Sequence, residues 1–574
     1  MDILGASSLA SISSCDDEQY VRPKQGYTNY PLLPISPHLG PVLALEFDLG
    51  WLDPGEVSQV DLMYVIGTDE TQVVKTVNEL REVGLEHQRQ ETCRFWSSFS
   101  SLEFNDPRLN NLFRAAQSGL RASVSSRGRM NAGIWGYGAE WVRDSSLACV
   151  GAILSGQFEL ARAMLVHMLV DMVSPEGIAF GEGQFYDIQR AELDQNGELL
   201  HTIWTYWVHS RDESLLREHW DVICKLADFP LRPEFWVEEA SMLRGERDVR
   251  ERDYERHGLL PGFELAHQMW VSLGLTRAAD IAIRMGEPER GAHWRERGEQ
   301  IWEAVLYHPK FKLVENNYLM KRRLLDGSFQ RFAKSRPYVH RPTEAPLTKM
   351  YPRSLNRSGA LEPDASEAWP IAYGLVDPGS QLARRTLLRM EQLWNQEWDF
   401  GGYPLHNVES EPTKLGPWPM TFYIITQAAA EAGVDEVVRR NLDWYLNTKD
   451  GRGFMWWEYR DADPDLQIDH GVIPWLIYGE PLTLLVHNLL GYRPGPDTII
   501  IQPHLLPEWK IVQARLRNGE HWLNLTIHHA GPTLARAEIN GQPWDRRVRG
   551  ALDFDIPAED IDVELWLENT SEIP

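Results

Sequence analysis

Cysteine is scarce in this sequence. The 574 residues include four cysteines, which are far apart in the chain: Cys15, Cys93, Cys149 and Cys224. A disulfide scaffold or a structural zinc site needs paired or clustered cysteines, so this spacing excludes both classes. The histidines show no paired ligand spacing either. We therefore expect no metal and no other cofactor.

Positive charge and long apolar runs are also in short supply. Lys and Arg total 57 against 83 Asp and Glu, which gives a formal net charge of −26. This balance argues against a nucleic acid or an anionic membrane as partner, because either would require a basic face. No apolar run approaches the length of a membrane span, and no basic segment precedes the short apolar stretch at the N-terminus. We expect a cytoplasmic protein.

Tryptophan, by contrast, is abundant. The chain has 23 Trp residues. One interpretation is a large helical core that contains many aromatic side chains. The other is a set of aromatic platforms that bind the flat, apolar faces of a ligand such as a sugar ring. Composition alone leaves both open.

The pattern of polar and apolar residues changes along the chain. Residues 1–90 read as a β-rich domain, because Pro41–Gly67 alternates polar and apolar residues between Pro-Gly breaks. Residues 91–106 follow as a linker. Helical periodicity then runs through residues 107–492, and alternation returns in 493–574, which we predict to be a small β-sandwich.

The helical region indicates a mainly α fold. It contains about a dozen helices in pairs joined by short turns, while the connections between pairs are longer and rich in Trp, Gly, Pro and acids. Such hairpins suggest an (α/α)6 barrel whose long loops all open on one face. Functional residues are often carried on loops that a rigid scaffold holds in place.

The segment IWGYGAEWVRDS interleaves aromatic residues with glycine just before a helix. In a binding pocket, Arg143 and Asp144 would hold sugar hydroxyls between the rings of Trp135, Tyr137 and Trp141. The alternative is structural, with Asp144 only capping the helix and Arg143 pairing with a neighbouring acid.

The segment PEFWVEEAS carries two adjacent acids after a tryptophan. If Trp236 shields Glu238 or Glu239 from water, the pKa of that carboxyl rises, which suits a general acid. The alternative is two ordinary acids on a solvated loop.

The segment DHGVIPWLIYGEP places one acid among apolar and aromatic residues. Glu480 follows Trp475 and Tyr478, and an ionised carboxylate in such surroundings is costly to bury. This pattern is expected of a catalytic base. The alternative is a helix N-terminal acid favoured by the helix dipole.

Weaker clusters of acids and aromatics recur between helices, in 181–187, 362–369, 396–403 and 455–459. Several loops between helices therefore combine carboxylates with aromatic rings, and this combination suits neutral polyhydroxylated ligands. Glycoside hydrolysis requires two carboxyl groups, one protonated and one ionised.

At these residues the chain resembles the six-hairpin glycosidases, most closely the bacterial glucoamylase-like proteins of glycoside hydrolase family 15. The resemblance covers 107–492. WVRDS at 141–145 is similar to the family's substrate-gripping motif, FWVEE at 235–239 to its general-acid segment, and WLIYGE at 475–480 to its general-base segment. EPDAS at 362–366 is similar to the start of a later hairpin.

This resemblance implies an inverting, exo-acting hydrolase of an α-linked oligosaccharide. Glu238 or Glu239 would be the acid, because an extra residue separates Trp236 from the pair, and Glu480 would be the base. Trp236 and Trp475 would join the sugar-binding residues. The stretch LLGYRPGPDTIIIQPHLLPEW is equally similar to α-rhamnosidase and disaccharide-phosphorylase relatives. An α-rhamnosidase-like enzyme, a phosphorylase or epimerase, and a non-catalytic carbohydrate-binding protein therefore remain alternatives, although Glu480 would repel the phosphate that a phosphorylase must bind.

Overall fold

The chain forms two compact units, Met1–Ser98 and Phe99–Pro574. The computed structural model describes residues 10–15, 42–47, 51–58, 65, 69–134, 138–181, 191–247, 258–333, 359–394, 401–403, 418–447 and 473–569.

The first unit contains a two-stranded antiparallel sheet and two helices in its described part. Strand β1 pairs with β2 so that Ala10 lies opposite Phe47. Asp69 begins the first helix, because its side chain accepts a hydrogen bond from the backbone N–H of Thr71 at 2.9 Å. The elements are β1 (Ala10–Cys15), β2 (Val42–Phe47), α1 (Glu70–Val83) and α2 (Leu85–Ser97).

The second unit contains a double ring of helices. Helices that are buried on nearly all sides form an inner ring, as expected for segments that are apolar all round. Each inner helix contacts the next in the ring, and the last contacts the first. In chain order the inner elements are α4 (Val142–Leu154), α6 (Leu193–Ser210), α9 (Leu265–Arg284), α11 (Trp369–Ala372), α13 (Pro419–Glu431), and α15 (Glu480–Leu482) with the π-helix Thr483–Leu489.

The outer helices alternate with the inner ones along the sequence. Each outer helix is amphipathic because one of its faces packs on the inner ring and the other faces solvent. Helix α3, for example, buries Leu109, Leu112 and Phe113. The outer elements, with the short α7 beside α8, are α3 (Pro107–Ser123), α5 (Phe158–Asp171), α7 (Ser214–Glu218), α8 (Trp220–Asp228), α10 (Pro288–Tyr307), α12 (Gln381–Met390) and α14 (Asp435–Asn447).

The connections confirm the expected (α/α)6 barrel. Short turns follow the inner helices, whereas the long connections precede them. The described parts of the long connections therefore lie at the N-terminal ends of the inner helices, on one face. Small strands in these connections are β4 (Gly133–Ile134), β5 (Trp236–Val237), β6 (Met242–Gly245), β7 (Gly262–Glu264), β8 (Val314–Glu315), β9 (Tyr318–Leu319), β10 (Arg322–Leu324), β11 (Phe332–Ala333), β12 (Gly359–Ala360) and β13 (Ile473–Pro474).

A β-sandwich follows the barrel, as predicted. A six-stranded sheet has the order β19-β18-β22-β17-β16-β3, and a four-stranded sheet has the order β14-β15-β21-β20. Strand β3 comes from residues 91–106, the stretch that the sequence assigns to a linker. The strands are β3 (Ser101–Phe104), β14 (Tyr492–Pro494), β15 (Thr498–Ile501), β16 (Ile511–Asn518), β17 (His521–His529), β18 (Thr533–Ile539), β19 (Gln542–Pro543), β20 (Arg547–Val548), β21 (Ala551–Asp555) and β22 (Ile561–Glu568).

Several helix boundaries differ from the sequence expectation. The periodicity predicts a helix over 198–209, but α6 begins at Leu193. The predicted helix over 472–490 begins only after β13, as a 3-10 turn at Trp475–Tyr478. None of the helices in the described ranges has the length and apolar character needed to cross a membrane.

Candidate functional site

Two of the segments singled out in the sequence lie side by side. Strand β4 pairs with β13, so that Ile134 is opposite Ile473. The backbone N–H of Trp475 donates to the carbonyl of Ala132 at 2.9 Å. This pairing brings the start of α4 and the start of α15 to the same end of the barrel.

Glycine makes a second close contact between these segments. A Cβ atom added at Gly479 would lie 2.6 Å from the Cα of Ala148 on α4, closer than side-chain carbons approach. The backbone before Glu480 is therefore packed directly on the helix that carries Arg143 and Asp144. A side chain at Gly479 would push Glu480 away from that helix.

Glu480 is the first residue of α15 and is 3% exposed. Its Oε2 accepts a hydrogen bond of 2.7 Å from Nε2 of Gln427, on the inner helix α13. Burial raises the pKa of Glu480 to about 7, although the hydrogen bond from Gln427 opposes the shift. A carboxyl with this pKa exchanges protons readily at neutral pH, as a general base must.

The predicted aromatic walls are described in part. Trp141 is half-buried and precedes α4, and a Cβ atom at Gly181 would lie 2.9 Å from its ring. Trp475 is half-buried and stacks on Tyr478, with ring centroids 5.9 Å apart. Trp135, Tyr137 and the acidic-aromatic cluster at 455–459 lie outside the described residues.

Arg143 and Asp144 lie in the first turn of α4. The helix begins at Val142 after Trp141, so Asp144 does not cap it, and the structural alternative in which Asp144 occupies the capping position is wrong. The reason is that Trp141 already adopts the extended backbone of the capping residue. Arg143 and Asp144 have 12% and 15% of their side chains exposed, with Nε of Arg143 3.9 Å from Oδ2 of Asp144.

An acidic group that sequence analysis missed lies opposite Arg143. Nη1 of Arg143 is 3.4 Å from Oε2 of Glu192 and 3.8 Å from Oδ2 of Asp194. Arg247 approaches the other oxygen of Glu192 at 3.0 Å, and Nε2 of His267 lies 3.3 Å from Oδ1 of Asp194. Burial would raise the pKa of Asp194, but the hydrogen bond from His267 and the charges of His267 and Arg143 lower it overall.

Glu198 belongs to the same group and is 1% exposed. It follows Asp194 by four residues on α6, so the two side chains share one face of the helix. Neither carboxyl oxygen of Glu198 has a hydrogen-bond partner within the described part of the chain. Burial and the charge of Asp194 raise the pKa of Glu198 well above its usual range, and Arg143 offsets this only partly.

The charges of Glu198 and Glu480 both act on Tyr373. Its ring lies 4.8 Å from that of Trp270. Burial raises the pKa of Tyr373, and the charges of Glu480 and Glu198 raise it further. The interior of the barrel therefore contains one carboxyl with a pKa of about 7 and a second whose pKa is raised well above its usual range.

A pH-dependent difference in stability between the wild type and a Glu198 variant should reveal the raised pKa of Glu198. The folded-state pKa of Glu198 is raised, so its contribution to stability is complete below the unfolded pKa of about 4.3 and declines as pH rises above it. Glu198→Gln keeps the neutral shape without the titration. As pH rises above the unfolded pKa, the variant should gain on the wild type by up to about 1.4 kcal/mol per pH unit, measured by thermal unfolding. Glu239→Gln, at an exposed acid, is the control. A constant difference between wild type and Glu198→Gln would contradict a raised pKa of Glu198.

Glu238 and Glu239 are at a different kind of position. They lie in the turn between β5 and β6, where Nε1 of Trp236 donates to Oε2 of Glu238 at 2.6 Å. Trp236 packs under Arg297 of the outer helix α10, 4.7 Å from the ring centroid. Glu238 is exposed, and 71% of the Glu239 side chain is exposed near Lys310. The shielding that the sequence suggested beside Trp236 is absent, and the catalytic role of these acids stays a prediction.

The EPDAS stretch begins the hairpin that contains α11. Asp364 caps a 3-10 turn by accepting from the backbone N–H of Ser366 at 3.0 Å. Buried Lys321 lies 3.5 Å from Asp364 and 2.9 Å from Glu264. These ion pairs join two rim connections, and in the described ranges no three His, Cys, Asp or Glu side chains are grouped to hold a metal ion.

The fold is similar to that of known glycosidases. A bacterial glucoamylase complexed with acarbose matches with a TM-score of 0.52 and 15% identity, over 74% of this chain and 62% of the glucoamylase. An α-L-rhamnosidase from Dictyoglumus thermophilum matches with a TM-score of 0.50 and 12% identity, over 80% of this chain and 49% of the rhamnosidase. The chain thus spans about three fifths and about half of their lengths.

Sequence comparison adds no relative. No protein-family model matches the chain, and no curated protein matches its sequence. At these identities the structural matches show the fold alone, which is that of the six-hairpin glycosidases, as the resemblance in the sequence implied.

Proposed function

We propose that this six-hairpin barrel is a glycoside hydrolase that inverts the anomeric centre and removes sugars from the end of an α-linked oligosaccharide. The observation that carries the proposal is Glu480, a buried carboxyl with a pKa of about 7 at the end of the barrel where β4 pairs with β13. Gln427 fixes one of its oxygens at 2.7 Å.

In this mechanism Glu480 acts on water. The ionised carboxylate takes a proton from a water molecule as the water oxygen attacks the anomeric carbon, and the glycosidic C–O bond breaks on the opposite side. A protonated carboxyl gives its proton to the departing oxygen. Inversion requires about 6.5–9.5 Å between the two carboxyl groups, to leave room for the water.

Three residues compete for the role of the acid. Glu238 and Glu239 are proposed from the resemblance of FWVEE to the general-acid segment. Glu198 is favoured by its surroundings, because burial and the charge of Asp194 raise its pKa well above the usual range, as suits a general acid. Arg143 and Asp144 would hold hydroxyls of the terminal sugar, and the rings of Trp135, Tyr137, Trp141, Trp236 and Trp475 would supply apolar contacts.

A screen of 4-nitrophenyl glycosides tests the function, with the α-glucoside and the α-rhamnoside first. Hydrolysis without added phosphate supports a hydrolase, whereas a strict need for phosphate supports phosphorolysis. Proton NMR of the first product shows whether the anomeric configuration is inverted. The absence of turnover on every glycoside would favour a carbohydrate-binding protein.

The general acid is identified by how strongly the activity lost in its variant depends on the leaving group of the substrate. An acid variant should lose about 100-fold or more on a methyl glycoside, whose alkoxide leaves poorly, but far less on the 4-nitrophenyl glycoside. Glu198→Gln, Glu238→Gln and Glu239→Gln are compared with Glu289→Gln, at an exposed acid of α10. If all three variants keep full activity on the methyl glycoside, the acid lies elsewhere in the chain.

A further inference from the structure

The C-terminal end of α6 is held by the β-sandwich. Arg211 follows the helix with a φ of 59°, in the left-handed region that residues other than glycine seldom adopt. Its guanidinium points away from the helix. Nε donates to Oδ1 of Asn518 at 3.1 Å, and Nη1 donates to the backbone carbonyl of Gly495 at 3.0 Å. Asn518 ends β16 and Gly495 follows β14, so a single side chain joins α6 to both sheets of the sandwich.

The sandwich also supplies donors to the last turn of α6. Nδ2 of Asn518 donates to the carbonyl of Val208 at 3.3 Å, and the backbone N–H of Gly519 donates to the carbonyl of His209 at 2.7 Å. Carbonyl groups in the last turn of a helix have no partner within the helix. Asn518 is 2% exposed, so its bonds are shielded from water. The turn between β16 and β17 therefore caps α6.

Helix α6 transmits this restraint to the interior of the barrel. All residues from Leu193 to His209 are buried. The helix is packed directly on α9, where a Cβ atom added at Gly274 would lie 2.7 Å from the Cα of Gly197. Glu198 precedes Arg211 by about 20 Å along the axis, at 1.5 Å per residue. A rigid helix that moves along its axis carries every residue by the same distance, so a shift at the sandwich also displaces Glu198.

Other inner elements with proposed catalytic or sugar-binding residues also end on the sandwich. Beyond the π-helix that follows Glu480, the backbone N–H of His504 donates to the carbonyl of Leu489 at 2.9 Å. The backbone N–H of Ser100, directly before β3, donates to the carbonyl of Ser155 after α4 at 3.0 Å. The C-terminal ends of α4, α6 and the π-helix therefore have one common support.

We propose that Arg211 is a positioning residue: with Asn518 it fixes α6 along its axis on the β-sandwich, and it thereby sets where Asp194 and Glu198 lie in the barrel. The inference rests on the proposed function and adds that the sandwich contributes to the rate of hydrolysis without contacting the reacting sugar. A displacement of about 1 Å can lower the rate of an enzyme strongly. The residues proposed to bind the sugar lie on other elements, so loss of this anchor should lower kcat more than it raises KM.

Kinetics of anchor variants test the proposal. Arg211→Ala removes the bonds to both sheets, and Asn518→Ala removes the acceptor for Arg211 together with a donor to α6. On the methyl glycoside of the sugar that the wild type hydrolyses, each variant should lower kcat about tenfold, with KM within about twofold of wild type. Arg211→Lys, which keeps a donor on this side chain, should lose less.

Leu565→Ala is the matched control. It removes buried core from β22 without removing any of these bonds, so it should lower the Tm. At temperatures where all variants are folded, its kcat should equal that of the wild type. A kcat as low in Leu565→Ala as in Arg211→Ala would overturn the proposal, because any weakening of the sandwich would then have the same effect. Wild-type kcat in Arg211→Ala and Asn518→Ala would also overturn it.

Amide hydrogen exchange separates this proposal from the proposed function. Exchange of residues 193–200, followed by mass spectrometry, should become about tenfold faster in Arg211→Ala and stay unchanged in Leu565→Ala. If no glycoside is hydrolysed, this difference still supports an anchor that holds the far end of α6. Equal exchange of residues 193–200 in Arg211→Ala and the wild type would overturn the proposal.

Discussion

Glu480→Gln is expected to lower kcat about a thousandfold on any glycoside that the wild type hydrolyses. The amide preserves the shape of the carboxyl but does not take the proton of the attacking water. KM should change little, because the hydrogen bond with Gln427 shows that one oxygen is already occupied by protein. Stopped assays with the most reactive aryl glycoside measure the residual rate. A loss smaller than tenfold would remove Glu480 as the base.

The pH dependence gives an independent test of the same residue. A base with a pKa of about 7 is ionised above that pH, so kcat should fall about tenfold per unit below it. Gln427→Leu removes the hydrogen bond that lowers the pKa of Glu480. The pH below which kcat declines should therefore rise in this variant. Glu289→Gln, at an exposed acid, should leave the profile unchanged. If the pH dependence of kcat is unchanged in Gln427→Leu, a group other than Glu480 controls it.

Gly197→Ala is expected to destabilise the barrel by about 3 kcal/mol or more, at the upper end of overpacking effects. Gly197 lies on α6 immediately before Glu198, and an added Cβ atom would lie 2.1 Å from the carbonyl oxygen of Trp270 on α9. Backbone atoms do not rotate away as a flexible side chain does, so the two inner helices must separate. In a unit of this size the Tm should fall by roughly 3 °C, measured by calorimetry.

Gly495→Ala is the matched control for this substitution. A Cβ atom there would approach only the carbonyl oxygen of Thr498, at 3.4 Å. Its Tm should stay close to that of the wild type. If Gly197→Ala were equally harmless, the contact between α6 and α9 would have to be looser than the structure shows. Activity should also fall in Gly197→Ala, because Glu198 and Asp194 move with the helix.

The sequence predicts the fold well because its periodicity is strong. Amphipathic outer helices and short turns define the hairpins, and a ring of hairpins has few alternatives. Boundaries are less predictable where tertiary contacts override local preference. Residues 193–197 contain Asp, Asn and Gly, which disfavour helix, yet α6 begins at Leu193 because its first turn is packed in the interior.

The candidate site is predicted unevenly for the same reason. Glu480 stands out because its neighbours in sequence are apolar, and the structure places it in the interior. Glu192, Asp194 and Glu198 were missed, because their burial depends on contacts with α4 and α9 that local sequence does not encode. The four-residue spacing of Asp194 and Glu198 was the available signal, and it was hidden by the misplaced start of α6.

The position of β3 has a consequence for how the protein is made. This strand precedes the first barrel helix but pairs with β16, and Nδ2 of Asn105 donates to the carbonyl of Glu508, 403 residues later. During synthesis the ribosome releases β3 long before its partner strand exists. Helix α3 therefore lacks the β-sheet contact of the strand before it while most of the barrel is synthesised. For this unit, completion of the sheet and anchoring of the barrel are a single late event.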